Sequence, residues 1–294
     1  MLKVVILAII QGLAELLPVS SSAHVVVAEK LLGLDVSSPS MTLLLVMLHA
    51  GTMGAVIVYF WRQWKRTYFS SSAAFRQNAF NLFVATALTG CIGYGTIKLI
   101  EKTILRQVPH AQIEDLFSHL EWISPALAMA GLLILIAGVL RRREDCRDPS
   151  IETDHAISLR QSGWIGAVQG LCLPFRGFSR SGATISVAML AGVPKAQAEV
   201  FSFALAVILT PPAIAKEMLR VVHQHHVQAQ LDSSTGYLSG AILPSLLGMV
   251  CSFLAGLLAL KWLSHWLESN RWYLFGIYCL IASVVVFVIH RAGY

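Results

Sequence analysis

The chain has 294 residues, of which 56% are hydrophobic and 13% charged, with a formal net charge of +6; soluble domains average roughly half apolar and a quarter charged residues. This composition excludes an ordinary soluble domain, and the basic residues are concentrated in short loops, where they indicate membrane topology and not nucleic-acid binding. Five cysteines without a Cys-x-x-Cys pair predict neither a disulfide framework nor a zinc site. Long apolar stretches without period-2 alternation favour helices, so we predict an all-α integral membrane protein.

The first segment, Leu2 to Gly33, consists of two short apolar pieces that are separated by a polar break at Pro18–Ser22. Crossing a hydrocarbon core of about 30 Å takes about 20 helical residues, and each piece is shorter. Half-length pieces that meet at a Pro and Ser break are typical of a re-entrant helix-loop-helix segment surrounded by protein or a water-filled cavity. We expect this segment to remain in the protein, because Glu15 and Pro18 interrupt the pattern of a signal peptide.

Polar residues around this break are candidates for chemistry. Gln11 and Glu15 lie four residues apart and hence on one face of a helix, where their oxygens could hold a Mg²⁺ or Ca²⁺ ion or simply pair with neighbouring backbone groups. Ser21 could attack with His24 as its base, or His24 could itself be the nucleophile. Alternatively, the serine cluster only caps the returning helix, which we expect to begin near Ser22.

Six longer apolar stretches could each span a membrane, three after each of two polar breaks. The approximate bounds of these stretches are residues 41–61, 79–100, 122–140, 196–219, 238–262 and 272–290. Because three is an odd number of spans, the second half must be inverted relative to the first. We therefore predict a single membrane domain over 1–294, in which six transmembrane helices and two re-entrant segments form an inverted repeat. The repeats cover about 1–140 and 157–294, and a charged linker at about 141–156 joins them.

Loop charge predicts the orientation of the chain. Basic clusters follow the first span, at Arg62–Arg66, and the third span, at Arg141–Arg143, which favours the cytoplasm for both loops. The loop from Glu101 to Glu121 is mixed in sign and is expected outside, together with both termini. The first break then enters from the outer side and the second from the cytoplasmic side.

The second break contains Gly177-Phe-Ser-Arg-Ser-Gly182 and leads into a helix that we expect to begin near Ala183. Backbone N–H groups at a helix start and an arginine fork both suit phosphate oxygens, so Arg180 is a candidate phosphate-binding residue. The alternative is a structural ion pair between Arg180 and Glu15. Arg176 adds a second cation to the loop, and its role is hard to assign from the sequence. His49, in the first span, could face the site, but the interpretation that we favour is a satisfied interior histidine.

The two breaks resemble the signatures of the bacterial undecaprenyl-diphosphate phosphatases of the bacitracin-resistance type. Gln11 to His24 is similar to their Glu/Gln-Gly-x-x-Glu-x-x-Pro-x-Ser-Ser-x-x-His pattern, and Gly177 to Ser186 is similar to their second signature. The resemblance implies that the chain removes the terminal phosphate of a C55 polyprenyl diphosphate. This reaction recycles the lipid carrier of peptidoglycan synthesis and confers bacitracin resistance, at an outward-facing site in the bacterial inner membrane.

The resemblance also implies a role for each site residue. Glu15 and the position of Gln11 would serve a divalent cation, Mg²⁺ or Ca²⁺, and the diphosphate; Ser21 and His24 would carry the chemistry, and Arg180 would bind phosphate. The other residues expected to contact the diphosphate are Ser20, Ser22, Ser179, Ser181, Gly182 and Thr184. The chain departs from the family pattern in three places: Gln11 stands where many members have Glu, Ala23 stands where Gly is common, and the loop that contains Arg176 is one residue longer.

Two other classes of protein fit part of the sequence. A carrier that flips isoprenyl phosphate lipids would use an inverted repeat, but it would not need Ser21 and His24. An intramembrane serine protease would leave Glu15 and Arg180 unexplained. The expected partners are the polyprenyl diphosphate lipid and membrane lipids, and a homodimer is compatible with the sequence.

Overall fold

The computed structural model describes residues 1–34, 38–103, 120–147, 156–231 and 237–292. Within these ranges the chain forms ten α-helices and no strand. The helices are α1 Leu2–Leu16, α2 Ser21–Leu31, α3 Pro39–Tyr68, α4 Ser72–Thr103, α5 Leu120–Arg147, α6 Leu159–Cys172, α7 Arg180–Leu190, α8 Lys195–Leu231, α9 Tyr237–Glu268 and α10 Trp272–Arg291. The predicted all-α fold is confirmed. Most of the loop expected outside, between Glu101 and Glu121, and part of the charged linker lie outside the described residues.

Six of the helices in these ranges are long and apolar enough to cross a membrane: α3, α4, α5, α8, α9 and α10. They correspond to the six predicted spans, so the chain is a multi-pass membrane protein. Some helices run further than expected. For example, α3 continues beyond Trp61 to Tyr68, because no proline or glycine follows that would end it.

The four short helices form two pairs, α1 with α2 and α6 with α7, and each pair is interrupted at a predicted break. Pro18 and Pro174 follow the ends of α1 and α6, where a residue without an N–H cannot continue the helix. α2 begins close to the expected residue, but α7 begins at Arg180, three residues before Ala183. It begins early because Ser179 is its N-cap, and the Ser179 hydroxyl accepts a hydrogen bond from the Gly182 N–H at 3.3 Å.

The second helix of each pair begins and ends with the same backbone conformation. The N-cap residues Ser20 and Ser179 have φ of 67° and 53° and ψ of 94° and 92°. Past the other end, Gly33 and Gly192 have φ of 59° and 81°, and each amide bonds to the carbonyl three residues earlier. The two pairs therefore follow a similar path at equivalent positions.

Each short pair packs against a long helix from the other half of the chain. α1 lies along α9, where a Cβ atom on Gly12 would lie 2.7 Å from the Ser252 carbonyl oxygen. α6 lies along α4, where a Cβ atom on Gly166 would lie 2.3 Å from the Ala85 carbonyl oxygen. Only glycine permits these backbone approaches. The packing interleaves the two halves and brings the two breaks together.

Candidate active site

Glu15, on the last turn of α1, is the centre of a hydrogen-bonded cluster. Its Oε2 accepts hydrogen bonds from Ser21 Oγ at 2.5 Å and from Gln11 Nε2 at 3.2 Å. Its Oε1 accepts from Arg180 Nη2 at 3.0 Å. Ser21 is the first residue of α2 and Arg180 is the first residue of α7, so residues of both breaks meet at one carboxylate.

Arg180 and Glu15 form a partly buried ion pair, with 25% and 17% of their side chains exposed. A guanidinium has five N–H donors in a planar fork, and the bond to Glu15 uses one of its nitrogens. The Arg180–Glu15 ion pair is therefore present, and it leaves other nitrogens of the same guanidinium for phosphate. His49 Nε2 lies 3.8 Å from Glu15 Oε2, and 41% of the His49 side chain is exposed. His49 thus faces the cluster, which is the less favoured of the two alternatives that the sequence left open.

A polar cavity of about 200 Å³ opens beside this cluster. Both breaks line it, through Glu15, Ser20, Ser21, Ser22, Arg176, Gly177, Ser179, Arg180 and Ser181, with apolar neighbours such as Leu17 and Phe175. Two hydrogen bonds join its walls: the Gly177 N–H donates to Ser22 Oγ at 3.2 Å, and Ser181 Oγ donates to the Leu17 carbonyl at 3.4 Å. The cavity therefore presents hydroxyls, one carboxylate and two guanidinium groups.

Two residues that were expected to contact the diphosphate face the protein interior instead. The Gly182 N–H donates to Ser179 Oγ, and a Cβ atom there would lie 2.7 Å from Ile134 Cδ1. Thr184 is fully buried, donates to the Arg180 carbonyl at 2.8 Å and is hydrogen-bonded to the Ser202 hydroxyl at 2.5 Å. The early start of α7 explains both placements, because it puts these positions inside the helix and against its neighbours.

His24 does not pair with Ser21, whose hydroxyl is bonded to Glu15. His24 Nδ1 lies 2.8 Å from the Ser20 carbonyl and must donate to it, since a carbonyl only accepts. In the neutral ring Nε2 then accepts from the Tyr278 hydroxyl of α10, at 2.7 Å. The two rings are stacked, with centroids 5.7 Å apart and planes 11° apart. Sequence reasoning missed Tyr278, because a tyrosine in an apolar span carries no local sign of a contact 254 residues away.

His24 and Tyr278 lie at a second cavity of about 390 Å³, between α2 and α10. Its walls are almost entirely apolar and include Ile10, Val27, Leu31, Leu127, Ile281, Val285 and Ile289. Because Ser21 lines the polar cavity and His24 lines the apolar one, the two cavities flank the first turn of α2. A polar headgroup and an apolar chain could thus be accommodated side by side.

The described residues contain no group of three or more His, Cys, Asp and Glu side chains that could hold a metal ion. Glu15 is the one carboxylate among the described residues that line the polar cavity. Gln11 is 1% exposed and lies behind Glu15, with its amide hydrogen-bonded to that carboxylate. These donors do not fit a metal held by protein ligands alone. They fit a cation that takes most of its oxygens from phosphate and one carboxylate from the protein, as Mg²⁺ commonly does.

Comparison with known proteins agrees with the motifs at the two breaks. The profile of the family described as bacitracin resistance protein BacA matches residues 4–285. The chain is 55% identical over 288 residues to undecaprenyl-diphosphatase 2 of Acinetobacter baylyi, which covers 97% of this chain and 96% of the relative. It is 31% identical to the undecaprenyl-diphosphatases of Desulfosudis oleivorans, over 96% of this chain and 95% of the relative, and of Rhodopirellula baltica, over 99% and 98%. The chain therefore belongs to the bacitracin resistance protein BacA family.

Proposed function

We propose that this chain hydrolyses undecaprenyl diphosphate to undecaprenyl phosphate and inorganic phosphate. Its membership of the BacA family and the names of its relatives support this activity. The observation that carries the proposal is the 2.5 Å hydrogen bond from Ser21 Oγ to Glu15, at a cavity that Arg180 also lines. The product is the lipid carrier of peptidoglycan synthesis, and its recycling accounts for bacitracin resistance.

Ser21 is proposed as the nucleophile. Glu15 Oε2 takes the hydroxyl proton while Ser21 Oγ attacks the terminal phosphorus, and the bond from that phosphorus to the bridging oxygen breaks. Undecaprenyl phosphate leaves with the proton that Glu15 took, Glu15 is ionised again, and Ser21 carries the phosphoryl group as a phosphate ester. Water then attacks this phosphorus, and the ionised Glu15 again acts as base and takes a proton from the water. As the bond from phosphorus to Ser21 Oγ breaks, Glu15 returns this proton to Ser21 Oγ, which restores the hydroxyl and releases inorganic phosphate. Both steps use a serine and a carboxylate that are already in contact.

Arg180 and the remaining hydroxyls are proposed to bind the transferred phosphate. Phosphoryl transfer depends mostly on positioning and on stabilising negative charge. The guanidinium of Arg180 has donors beyond the one bonded to Glu15, and Ser20, Ser22 and Ser181 line the same cavity. These groups would hold the terminal phosphate next to Ser21.

Glu15 and the oxygens of the diphosphate would together hold a divalent cation, Mg²⁺ or Ca²⁺. Glu15 would be its charged protein ligand, and Gln11 would act by orienting that carboxylate. When bound, the cation neutralises charge on the phosphate oxygens. A neutral amide at position 11 is sufficient in this arrangement, because the substrate supplies the other anionic ligands.

The apolar cavity between α2 and α10 is proposed to hold the first prenyl units of the lipid. It is apolar, of about 390 Å³, and separated from the polar cavity by the turn that carries Ser21 and His24. His24 would then lie next to the phosphate that remains on the lipid. All of these residues belong to one copy of the chain, so the proposed reaction does not need a dimer.

The two short pairs are proposed to be the re-entrant segments of an inverted repeat, with halves of about 1–140 and 157–294. α1 has 15 residues, a length of about 22 Å at 1.5 Å per residue, which is less than a bilayer core. The equal backbone conformations at Ser20 and Ser179, and the reciprocal packing of α1 on α9 and α6 on α4, support the repeat. Loop charge favours a site that faces the outer side of the inner membrane.

The test is phosphate release from C55 or C15 prenyl diphosphate by the purified protein, with and without EDTA. We expect release by the wild type that EDTA abolishes and that Ser21→Ala and Glu15→Gln lack. A folded wild type that releases no phosphate would reject the proposal. The carrier considered above would then be tested by lipid transfer between the leaflets of vesicles; the names of the relatives and the Ser21–Glu15 bond do not favour it.

A further inference from the structure

The loop between α6 and α7 carries a second arginine that the mechanism above does not use. Arg176 is exposed and lines the polar cavity together with Arg180. It also interacts electrostatically with the carboxylate of Glu29, two turns along α2 from Ser21. Arg176 therefore lies between a carboxylate of the protein and the cavity where we expect the substrate's phosphates.

The backbone around Arg176 is tightly held. Gly177 has a φ of +106°, and a Cβ atom there would lie 2.6 Å from the Ile123 carbonyl oxygen of α5. Its N–H donates to Ser22 Oγ of α2, and the Phe178 N–H donates to the Phe175 carbonyl at 3.2 Å, which closes a turn around Arg176. A fixed turn thus carries a long cationic side chain at the rim of the cavity.

Glu29 is a buried carboxylate whose hydrogen bonding is incomplete. It is 2% exposed, and its Oε1 has no hydrogen-bond partner among the described residues. Burial favours the neutral form of such a carboxylate, and the charge of Arg176 favours its ionised form, which attracts the guanidinium. The attraction to Arg176 does not include a hydrogen bond to Oε1, so an anion that offers several oxygens can compete for the guanidinium.

The charge in the polar cavity indicates why a second guanidinium is useful. Glu15 and Arg180 form an ion pair and largely neutralise each other. A prenyl diphosphate brings several negative charges, and guanidinium forks match phosphate oxygens better than other side chains do. Among the described residues lining this cavity, Arg176 is the cation besides Arg180.

We propose that Arg176 is a second diphosphate-binding residue, which Glu29 holds at the rim of the cavity and which moves onto a substrate phosphate when the lipid enters. This inference rests on the proposed function of the site. Arg176 would determine substrate affinity, whereas Ser21, Glu15 and Arg180 carry out the transfer.

The first measurement is the binding of methylenediphosphonate, which cannot be hydrolysed, to the purified full-length protein. We expect Arg176→Ala to weaken binding about tenfold, as the loss of a charge-assisted hydrogen bond does. Arg176→Lys should recover part of the loss, because it restores the charge without the fork. The matched control is Arg160→Ala, an exposed arginine at the start of α6 that does not line the cavity; it should bind like the wild type.

The second measurement is the kinetics of hydrolysis of C15 prenyl diphosphate. Arg176→Ala should raise KM about tenfold and change kcat less than about twofold. Glu29→Gln should lower KM, because it removes the anion that competes for Arg176. The proposal would be overturned if folded Arg176→Ala had unchanged binding and KM. It would also be overturned if Arg160→Ala lost as much affinity for methylenediphosphonate as Arg176→Ala. A wild type that binds methylenediphosphonate but releases no phosphate would reject the proposed function alone, since the binding comparison still tests Arg176.

Discussion

At the scale of single residues, the hydrogen bonds of Glu15 explain how one carboxylate can both orient Arg180 and act as the base for Ser21. Oε1 orients the guanidinium and Oε2 receives the Ser21 hydroxyl. Since each oxygen has its own partner, the base for Ser21 and the anchor for Arg180 are the same side chain. Neither role requires Glu15 to move.

Substitution of Arg180 tests its role in phosphate binding. Arg180→Ala should lower kcat/KM by about three orders of magnitude or more, because arginines that stabilise phosphoryl transfer contribute effects of this size. The kcat/KM of Arg180→Lys should lie between the values of Arg180→Ala and the wild type, because lysine keeps the charge and loses the planar fork. Steady-state phosphate release measures both, with Arg76→Ala, an exposed residue of α4, as the control. A folded Arg180→Ala with near-normal kcat/KM would show that the ion pair is structural only.

The contact between His24 and Tyr278 leads to a second prediction. Tyr278→Phe keeps the stacked ring but removes the hydroxyl that donates to His24 Nε2. We expect kcat to fall by about two- to tenfold, which corresponds to one neutral hydrogen bond. Tyr273→Phe, on the same helix but not at the apolar cavity, is the matched control. An unchanged kcat in Tyr278→Phe would show that the hydrogen bond between Tyr278 and His24 does not contribute to hydrolysis.

The sequence predicted which residues line the site better than it predicted their partners. The motif spacing pointed to Glu15, Ser21 and Arg180, and all three line the polar cavity. It paired Ser21 with His24, because the two are close in sequence, whereas the structure pairs Ser21 with Glu15 across the break. Local spacing does not encode which way a side chain turns. It also carries no signal for Tyr278, which approaches from the last helix.

At the scale of elements, the two breaks were predictable because each contains a proline, which cannot continue a helix. Pro18 and Pro174 end their helices within two residues of where α1 and α6 stop. The start of α7 was not predictable, since it depends on a left-handed φ at Ser179 that serine rarely adopts. The sequence also did not predict which long helices α1 and α6 pack against. The glycines that permit this close contact cannot be distinguished in the sequence from other glycines in apolar segments.

The close packing of α6 on α4 can be tested with two glycines of one helix. Gly166→Ala places a Cβ atom 2.3 Å from the Ala85 carbonyl oxygen, so the helices must separate. We expect it to destabilise the protein by about 1–3 kcal/mol, as overpacking does. In Gly163→Ala, by contrast, the nearest atom is Leu88 Cδ1, at an ordinary 3.6 Å. Thermal unfolding in detergent should show a lower midpoint for Gly166→Ala alone; equal midpoints would contradict this packing.

At the scale of the whole molecule, the two halves are interleaved and do not lie side by side. α1 packs on α9, α6 on α4, α5 on α10 and α3 on both α8 and α9. The polar cavity likewise takes Glu15 and Ser21 from the first half and Arg180 from the second. Neither half therefore contains a complete site or a complete packing surface.

Dividing the chain within the linker tests this dependence. Residues 1–147 and 156–294, produced separately, should each fail to release phosphate from prenyl diphosphate. Produced together in one membrane, they should regain activity, because the contacts that join them do not require a covalent link. Activity in either half alone would contradict the site proposed here. The intact chain, produced at the same level, is the reference.

The contact between α1 and α9 also constrains how the protein can be made. A ribosome completes α1 long before it reaches α9, and Arg180 follows Glu15 by 165 residues. Throughout that interval Glu15 has no Arg180 to pair with, and the face of α1 that carries Gly12 has no α9 to pack against. α1 is therefore synthesised before α9 and must wait for it to reach its final place. Until the second half arrives, Glu15 is without its cationic partner, and its ionised form is stable only close to water.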